Sequence, residues 1–315
     1  MRVSLVFTVL NESQSLPTLL DSIAAQTVQP DEVVVCDGGS SDDTVSLLHS
    51  ERRFAIRVIS EHGANISRGR NLAIAAAQGQ IIACTDAGVR LDAHWLEKLI
   101  ENFKSVTAGF FLPDPHTLFE VAMSATVLPL VKEIAPQTFL PSSRSVAFLK
   151  SAWQQVGGYP EWLDFCEDLI FDLNLRKAFG AFAFAPQAIA YFRPRGSLKS
   201  FFKQYYLYAR GDGKANLFFK RHLIRYGIYL IALPILLAGL LSSSSVYSLS
   251  SLVVLLMGFA AYLKTPFYRL TQLWQNLPAI EKLKTALFVP LIRVVGDVAK
   301  MLGYPVGVLW RRRLI

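Results

Sequence analysis

Three short apolar runs, each ending in polar residues, constrain this chain more than any other feature. Val3–Val9 leads into Asn11 and Glu12, Val33-Val34-Val35-Cys36 into Asp37, and Ile81-Ile82-Ala83-Cys84 into Thr85-Asp86-Ala87-Gly88. A short continuous apolar run reads as a strand buried on both faces, as in a parallel sheet. Leu16–Gln26 and Ile66–Ala77 between them carry apolar residues at helical spacing, so residues 1 to about 110 alternate strand and helix. Repeated units of this length predict an α/β fold, a parallel sheet with helices on both faces. Ligands of such sheets bind outside the carboxyl ends of the strands. Asn11, Glu12, Asp37 and Asp86 would stand there. Any one acid could simply start a turn or cap a helix, whereas three in register point to a site.

The chain has 315 residues, enough for two domains and a sizeable core. Lys plus Arg number 32 against 24 for Asp plus Glu, a net charge of +8. That excess suits nucleic acid, anionic lipid or phosphate-bearing substrates alike. A hydrophobic share of 52% and a mean hydropathy of +0.34 favour a membrane. Cys36, Cys84 and Cys166 lie far apart and the five histidines lack HExxH spacing, so neither zinc nor a disulfide framework is indicated. No Lys-Ser/Thr follows Gly38-Gly39-Ser40 at Walker spacing, and no GxGxxG occurs. A nucleotide site here would use acids for base and ribose, and amides or basic groups for phosphates. Met1-Arg2-Val3-Ser4 runs directly into a strand, without the apolar core of a secretory signal.

Residues 111 to 220 lose the simple alternation. Phe119–Val131 reads as a helix and Arg144–Lys150 as a strand. Gly157-Gly158 reads as a tight loop and Ile170–Phe179 as a helix, preceded by Glu167 and Asp168. The helix dipole alone would explain that acid pair. The basic, aromatic segment from Arg193 and Arg195 to Arg210 suits single-stranded nucleic acid, a pyrophosphate or the bilayer surface. No charged residue occurs between Arg225 and Lys264. With Ser242–Ser245 as a loop, that span predicts two short membrane helices, about 226–241 and 246–263. Arg221, Arg225, Lys264 and Arg269 flank it, which places both ends in the cytoplasm. Pro234 keeps open a hairpin buried in a soluble domain or dipping into one leaflet. In residues 286–309, Arg293, Asp297 and Lys300 share one stripe among apolar residues. This predicts an amphipathic helix at the interface, ending in Arg311-Arg312-Arg313.

Residues 3 to about 220 resemble the family 2 glycosyltransferases. Val9-Leu10-Asn11-Glu12 is similar to the family's first-strand loop, with Val9 in place of a proline. Asp37-Gly38-Gly39-Ser40-Ser41-Asp42-Asp43-Thr44 is similar to its Asp-rich second loop. Ser67-Arg68-Gly69-Arg70-Asn71 resembles the Arg-Asn helix beside the donor, and Thr85-Asp86-Ala87-Gly88 occupies the place of the DxD motif. Gly157-Gly158-Tyr159 with Glu167-Asp168 resembles the acceptor-side motifs; Gln204 to Gly211 is loosely similar to a Gln/Arg-rich segment near the pyrophosphate.

The resemblance implies a GT-A nucleotide-sugar fold over residues 1–220 and a membrane-associated helical region over 221–315. It implies an inverting transfer of sugar from a nucleotide-sugar to a hydroxyl, the acceptor being lipid-linked or a cell-envelope glycan. The implied donor residues are Val9, Asn11, Glu12, Asp37, Gly39, Arg70, Asp86, Gln204 and Arg210. Asp168 is the implied general base, with Glu167 beside it. Asp86 would hold Mg²⁺ or Mn²⁺, although the motif's second acid is Gly88 here, one ligand fewer. The implied location is the cytoplasmic membrane with the catalytic domain facing the cytoplasm, and nucleic acid is not an expected partner. Two other readings are a nucleotidyltransferase, disfavoured by the lack of an N-terminal Gly-rich basic loop, and a membrane-tethered nucleotide-sugar-binding protein without transferase activity.

Overall fold

The structure is a computed structural model and describes residues 1–313. Its first part alternates as the apolar runs predict: β1 (Val3–Val9), α1 (Leu16–Ala24), β2 (Glu32–Asp37), α2 (Thr44–Ser50), β3 (Ile56–Ser60), α3 (Ile66–Ala76) and β4 (Ile81–Cys84). There follow β5 (Val89–Leu91), α4 (Trp95–Ile100), β6 (Val106–Pro113), α5 (Leu118–Val127), β7 (Val146–Leu149), α6 (Lys150–Gln155), α7 (Glu167–Phe179) and β8 (Ala183–Phe192). The C-terminal helices are α8 (Leu198–Lys214), α9 (Phe219–Gly227), α10 (Leu233–Leu240), α11 (Ser245–Leu273) and α12 (Ala279–Arg312).

Two compact units result. The first comprises Met1–Asp114 and Leu130–Arg193; the second comprises Pro115–Pro129 and the chain from Pro194 onwards. The second therefore takes in α5 and α8, on the far side of the boundary expected at residue 220. The reason is apolar packing: Ala122 and Met123 of α5 and Phe201 of α8 share one core with Leu270 of α11 and Val289 and Ile292 of α12.

In the first unit a single sheet has the order β3-β2-β1-β4-β7-β6-β8-β5. Strands β1 to β4 are mutually parallel, as expected, but β4–β7, β6–β7 and β5–β8 pair antiparallel. The sheet is mostly parallel, with one mixed half that the irregular middle of the sequence did not announce. Period-two alternation splits the buried residues between faces. Leu5, Phe7, Val33, Val35 and Ala83 meet α1 and α4 through Leu19, Ile23, Trp95 and Leu99. Val6, Val34, Cys36, Ile82 and Cys84 meet α3 and α7 through Ala73, Ile74, Phe171 and Leu175. The parallel register, with Val9 opposite Asp37 and Val6 opposite Cys84, sets the carboxyl ends of β1, β2 and β4 along one edge.

In the second unit the uncharged span forms two helical segments, Phe219–Leu240 and Ser245–Leu273, each long and apolar enough to cross a membrane by length and composition. The first starts seven residues earlier than expected, which gives it 22 residues, about 33 Å of helix. A π-turn at Ile228–Ala232 precedes Pro234 and absorbs the missing proline donor. Almost none of either segment is buried within the chain. The sequence places the charged stripe of α12 toward water, but the structure turns it inward. Asp297 accepts from Arg225 Nε at 2.7 Å, from Tyr262 Oη at 2.7 Å and from Tyr229 Oη at 3.1 Å. Leu287, Leu291, Val294, Val298, Leu302 and Leu309 are exposed instead. A charge buried among apolar helices needs partners, and α9 and α11 supply them.

Candidate active site

Two loops at the strand ends are stitched together by polar groups. Asn11 sits in the left-handed region, at φ 55°. Its amide donates to Ser40 Oγ at 2.9 Å and its Oδ1 accepts the Ser41 amide at 2.8 Å. The Glu12 amide donates to Thr44 Oγ1 at 2.8 Å, and the Glu12 carboxylate accepts from Ser15 Oγ. The Val9 carbonyl accepts the Gly38 amide at 2.9 Å. Buried Asp37 accepts the amides of Gly39 and Ser40, both at 3.1 Å. Gly39 is required: its φ is +100°, and a Cβ there would fall 2.7 Å from the His62 ring. Asp37 therefore shapes its turn, the plainer of its two expected roles, while standing at the strand end. The N-cap of α2 is Asp43, without a side-chain cap bond. Asp42 is drawn aside to accept from Thr44 and from the Ser13 amide, and these bonds hold its carboxyl well below the usual range.

Arg70 is the centre of the site. Helix α3 packs its small residues on the sheet, with the Gly69 Cβ position 2.9 Å from Thr8 Cγ2, and this points Arg70 inward. Its side chain is 3% exposed. Nη2 donates to Asp86 Oδ1 and Nη1 to Glu167 Oε1, each at 2.7 Å. One guanidinium thus joins the acid at the end of β4 to the acid pair at the start of α7. Asn71 next to it fixes the intervening loop. Its Oδ1 accepts from the Tyr159 amide at 2.9 Å and from Trp153 Nε1 at 3.0 Å, and its Nδ2 donates to the Tyr159 carbonyl at 2.9 Å. Tyr159 stacks on Phe171 with centroids 4.0 Å apart, and Arg70 lies 5.3 Å from the same ring. Cys166 holds φ 66° immediately before α7, a conformation that costs a non-glycine residue on the order of 1 kcal/mol and sets the direction of Glu167 and Asp168.

These surroundings separate the acids. Burial works against ionisation of Asp86, but Arg70 and then Arg144 hold its carboxyl below the ordinary range. For Glu167, burial first and the adjacent Asp168 carboxylate second push it up to about 7, against the pull of Arg70. Glu167 is 9% exposed, while Asp168 is half-buried and accepts the amide of its neighbour Leu169 at 2.8 Å. Asp172, one turn further along α7, is buried, and burial followed by Asp168 pushes it well above the ordinary range.

Two participants escaped the sequence reading. Asp172 falls inside the expected helix Ile170–Phe179 with nothing to single it out. Arg144 read as the start of a strand, yet it puts Nε 3.4 Å from Asp86 Oδ2. The signal for it lies in the sheet. Cys84 pairs antiparallel with Val146, and two positions further along the same register Asp86 faces Arg144. Gln204 and Arg210 lie on α8, in the second unit. Gln204 Nε2 donates to Tyr208 Oη at 2.8 Å.

The arrangement fits a divalent cation poorly. Such a cation takes one or two carboxylates together with substrate phosphates. Here Asp86 has one oxygen on Arg70 and the other beside Arg144, and Gly88 has no side chain to offer. Among the described residues, no group of three or more His, Cys, Asp and Glu side chains is placed to hold an ion.

Comparisons with known proteins agree with this frame. The sequence model described as glycosyl transferase family 2 matches residues 4–117. The chain is 25% identical over 205 residues to the O-antigen chain rhamnosyltransferase RfbN of Salmonella typhimurium, covering 60% of this chain and 65% of that protein. It thus spans just under two thirds of that relative's length. Among solved structures, the mannosyltransferase PcManGT of Pyrobaculum calidifontis, in complex with GDP-Man and Mn²⁺, superposes with a TM-score of 0.62 at 18% identity, covering 95% of this chain and 87% of that one. S. aureus TarS 1-349 in complex with UDP superposes with a TM-score of 0.52 at 16% identity, covering 100% and 92%. Residues 4–117 thus match the glycosyl transferase family 2 model, and their strand-end loops stand on a GT-A-type sheet.

Proposed function

We propose that this chain transfers a sugar, with inversion, from a nucleotide-sugar to a hydroxyl acceptor of a lipid-linked or cell-envelope glycan. The observation that carries the reading is the Arg70 bridge, which sets the strand-end acid Asp86 and Glu167 at the start of α7 on one guanidinium. The named activity of RfbN and the nucleotides bound by PcManGT and TarS support the same chemistry. In this reading the loops of Asn11, Glu12, Asp37 and Gly39, at the end of Val9, receive the nucleotide. The acceptor oxygen attacks the anomeric carbon from the face opposite the diphosphate. The bond from that carbon to the phosphate oxygen breaks, and its electron pair leaves with the nucleoside diphosphate. Asp168 takes the hydroxyl proton. Glu167 is a positioning residue, since its carboxylate is committed to Arg70.

The two apolar helical segments and the exposed apolar stripe of α12 support attachment to a membrane. The basic flanks favour a cytoplasmic catalytic face. A thermal-shift screen of UDP-, GDP- and dTDP-sugars tests the reading, because a ligand of the native state raises its melting temperature. At least one donor should do so, and the shift should shrink in Asp86→Ala. If no nucleotide-sugar stabilises the protein, the donor reading fails.

A further inference from the structure

We propose that Arg144 binds the diphosphate of the donor and that this binding does not require a divalent cation. The inference rests on the transferase reading above and specifies how its leaving group is held. A departing nucleoside diphosphate needs positive charge where its own negative charge develops. Bound Mg²⁺ or Mn²⁺ would need oxygen ligands that this site has committed elsewhere. Asp86 Oδ1 is held by Arg70 at 2.7 Å and Oδ2 lies 3.4 Å from Arg144 Nε. A cation on Asp86 would displace one guanidinium and sit against the other, like charge beside like charge. At Gly88 the space around the Cβ position is open to 4 Å. The fold has room for a second acid and the chain does not supply one.

Arg144 is built to stay where it is. Its guanidinium lies 4.8 Å from the Phe192 ring and 5.8 Å from the Phe111 ring. Its Nη1 donates to Ser142 Oγ at 3.2 Å, and its carbonyl accepts from Thr85 Oγ1 at 3.0 Å, which ties its backbone to the end of β4. The side chain is 24% exposed, so it reaches solvent at the strand ends where the phosphates would lie. Arginine suits that task because its planar fork matches phosphate oxygens and it never deprotonates at physiological pH. Arg70, 3% exposed, is a positioning residue: it fixes Asp86, and Asp86 in turn orients Arg144.

The test is calorimetric binding of UDP, GDP and dTDP to the full-length protein in excess EDTA and in excess Mn²⁺. We expect at least one nucleoside diphosphate to bind, with dissociation constants agreeing within about twofold in the two conditions. Arg144→Gln should weaken that binding about 10- to 100-fold, the scale of one charge-assisted hydrogen bond. It should weaken binding of the free nucleoside less than twofold, and Arg144→Lys should restore part of the loss. Gly88→Asp should introduce a Mn²⁺ dependence that the wild type lacks. Wild-type binding that collapses tenfold or more in EDTA and returns with Mn²⁺ would overturn this inference alone, as would an unchanged affinity in a folded Arg144→Gln. If no nucleoside diphosphate binds in either condition, the transferase reading falls and this inference falls with it.

Discussion

Replacing Arg70 with Met removes a buried cation and nearly keeps its volume. The structure sets the size of the effect. Arg70 makes two bonds at 2.7 Å to carboxylates that are 24% and 9% exposed. A hydrogen bond to a charged group contributes about 1.5–3 kcal/mol. Asp86 keeps Arg144 and some water, so its share falls at the low end. Glu167 loses the cation it is paired with. Its carboxyl already stands at about 7, far above the ordinary ~4.3, and without Arg70 it rises further. A raised carboxyl contributes stability that is present below its unfolded value and lost as pH climbs through its folded value. The penalty of Arg70→Met therefore grows with pH. It should be about 3–5 kcal/mol at pH 8, where Glu167 would otherwise ionise unpaired, and about half that at pH 5.5, where protonation relieves it. At roughly 2–4 °C per kcal/mol for a unit of this size, melting temperature should fall about 8–15 °C at pH 8. Thermal melts of the full-length protein in detergent at both pH values are the assay. A fall under about 3 °C at pH 8, or an equal fall at both, would refute Arg70 as the clamp and Glu167 as the responding group.

Asp37→Ala leaves the Gly39 and Ser40 amides without their acceptor and should cost about 1–3 kcal/mol. Asp37→Asn keeps an acceptor and the turn, so if it melts near wild type but binds nucleotide weakly, Asp37 contacts the base as well as shaping its loop. Gly307→Leu should loosen the second unit, because a Cβ at Gly307 would lie 2.0 Å from the Arg210 carbonyl of α8; the cost should reach about 1–3 kcal/mol, read as a lower melting temperature. The protein should resist carbonate extraction, and a cysteine at Ser243, between the two apolar segments, should react with an impermeant reagent from outside the cell. Release by high salt would leave only a peripheral attachment.

Much of the first unit could be read from the sequence because its information is local. Val3–Val9, Glu32–Asp37 and Ile81–Cys84 are dominated by apolar residues, and parallel pairing places the acids at their ends on one edge. Strands β5, β6 and β8 were missed because β5 has three residues and the pairings of β8 depend on partners far away in the chain. The same limit hid the Arg70–Glu167 bond, which spans 97 positions, and the meeting of Arg144 with Asp86, which follows from an antiparallel register. The residue types of α12 gave its amphipathic period correctly. They did not say which face turns inward, since that depends on Arg225, Tyr229 and Tyr262 offering Asp297 a polar seat.

The central claim is sugar transfer with Asp168 as the base. Its most direct test is nucleoside diphosphate release from UDP-, GDP- and dTDP-sugars by the full-length protein in membranes containing acceptor, wild type against Asp168→Asn. One donor should be consumed, and Asp168→Asn should lower turnover by about 10²-fold or more while its donor-induced thermal shift stays near wild type. Turnover of the folded variant close to wild type, with only a stability loss on the order of 1 kcal/mol, would make Asp168 a helix cap and contradict the mechanism.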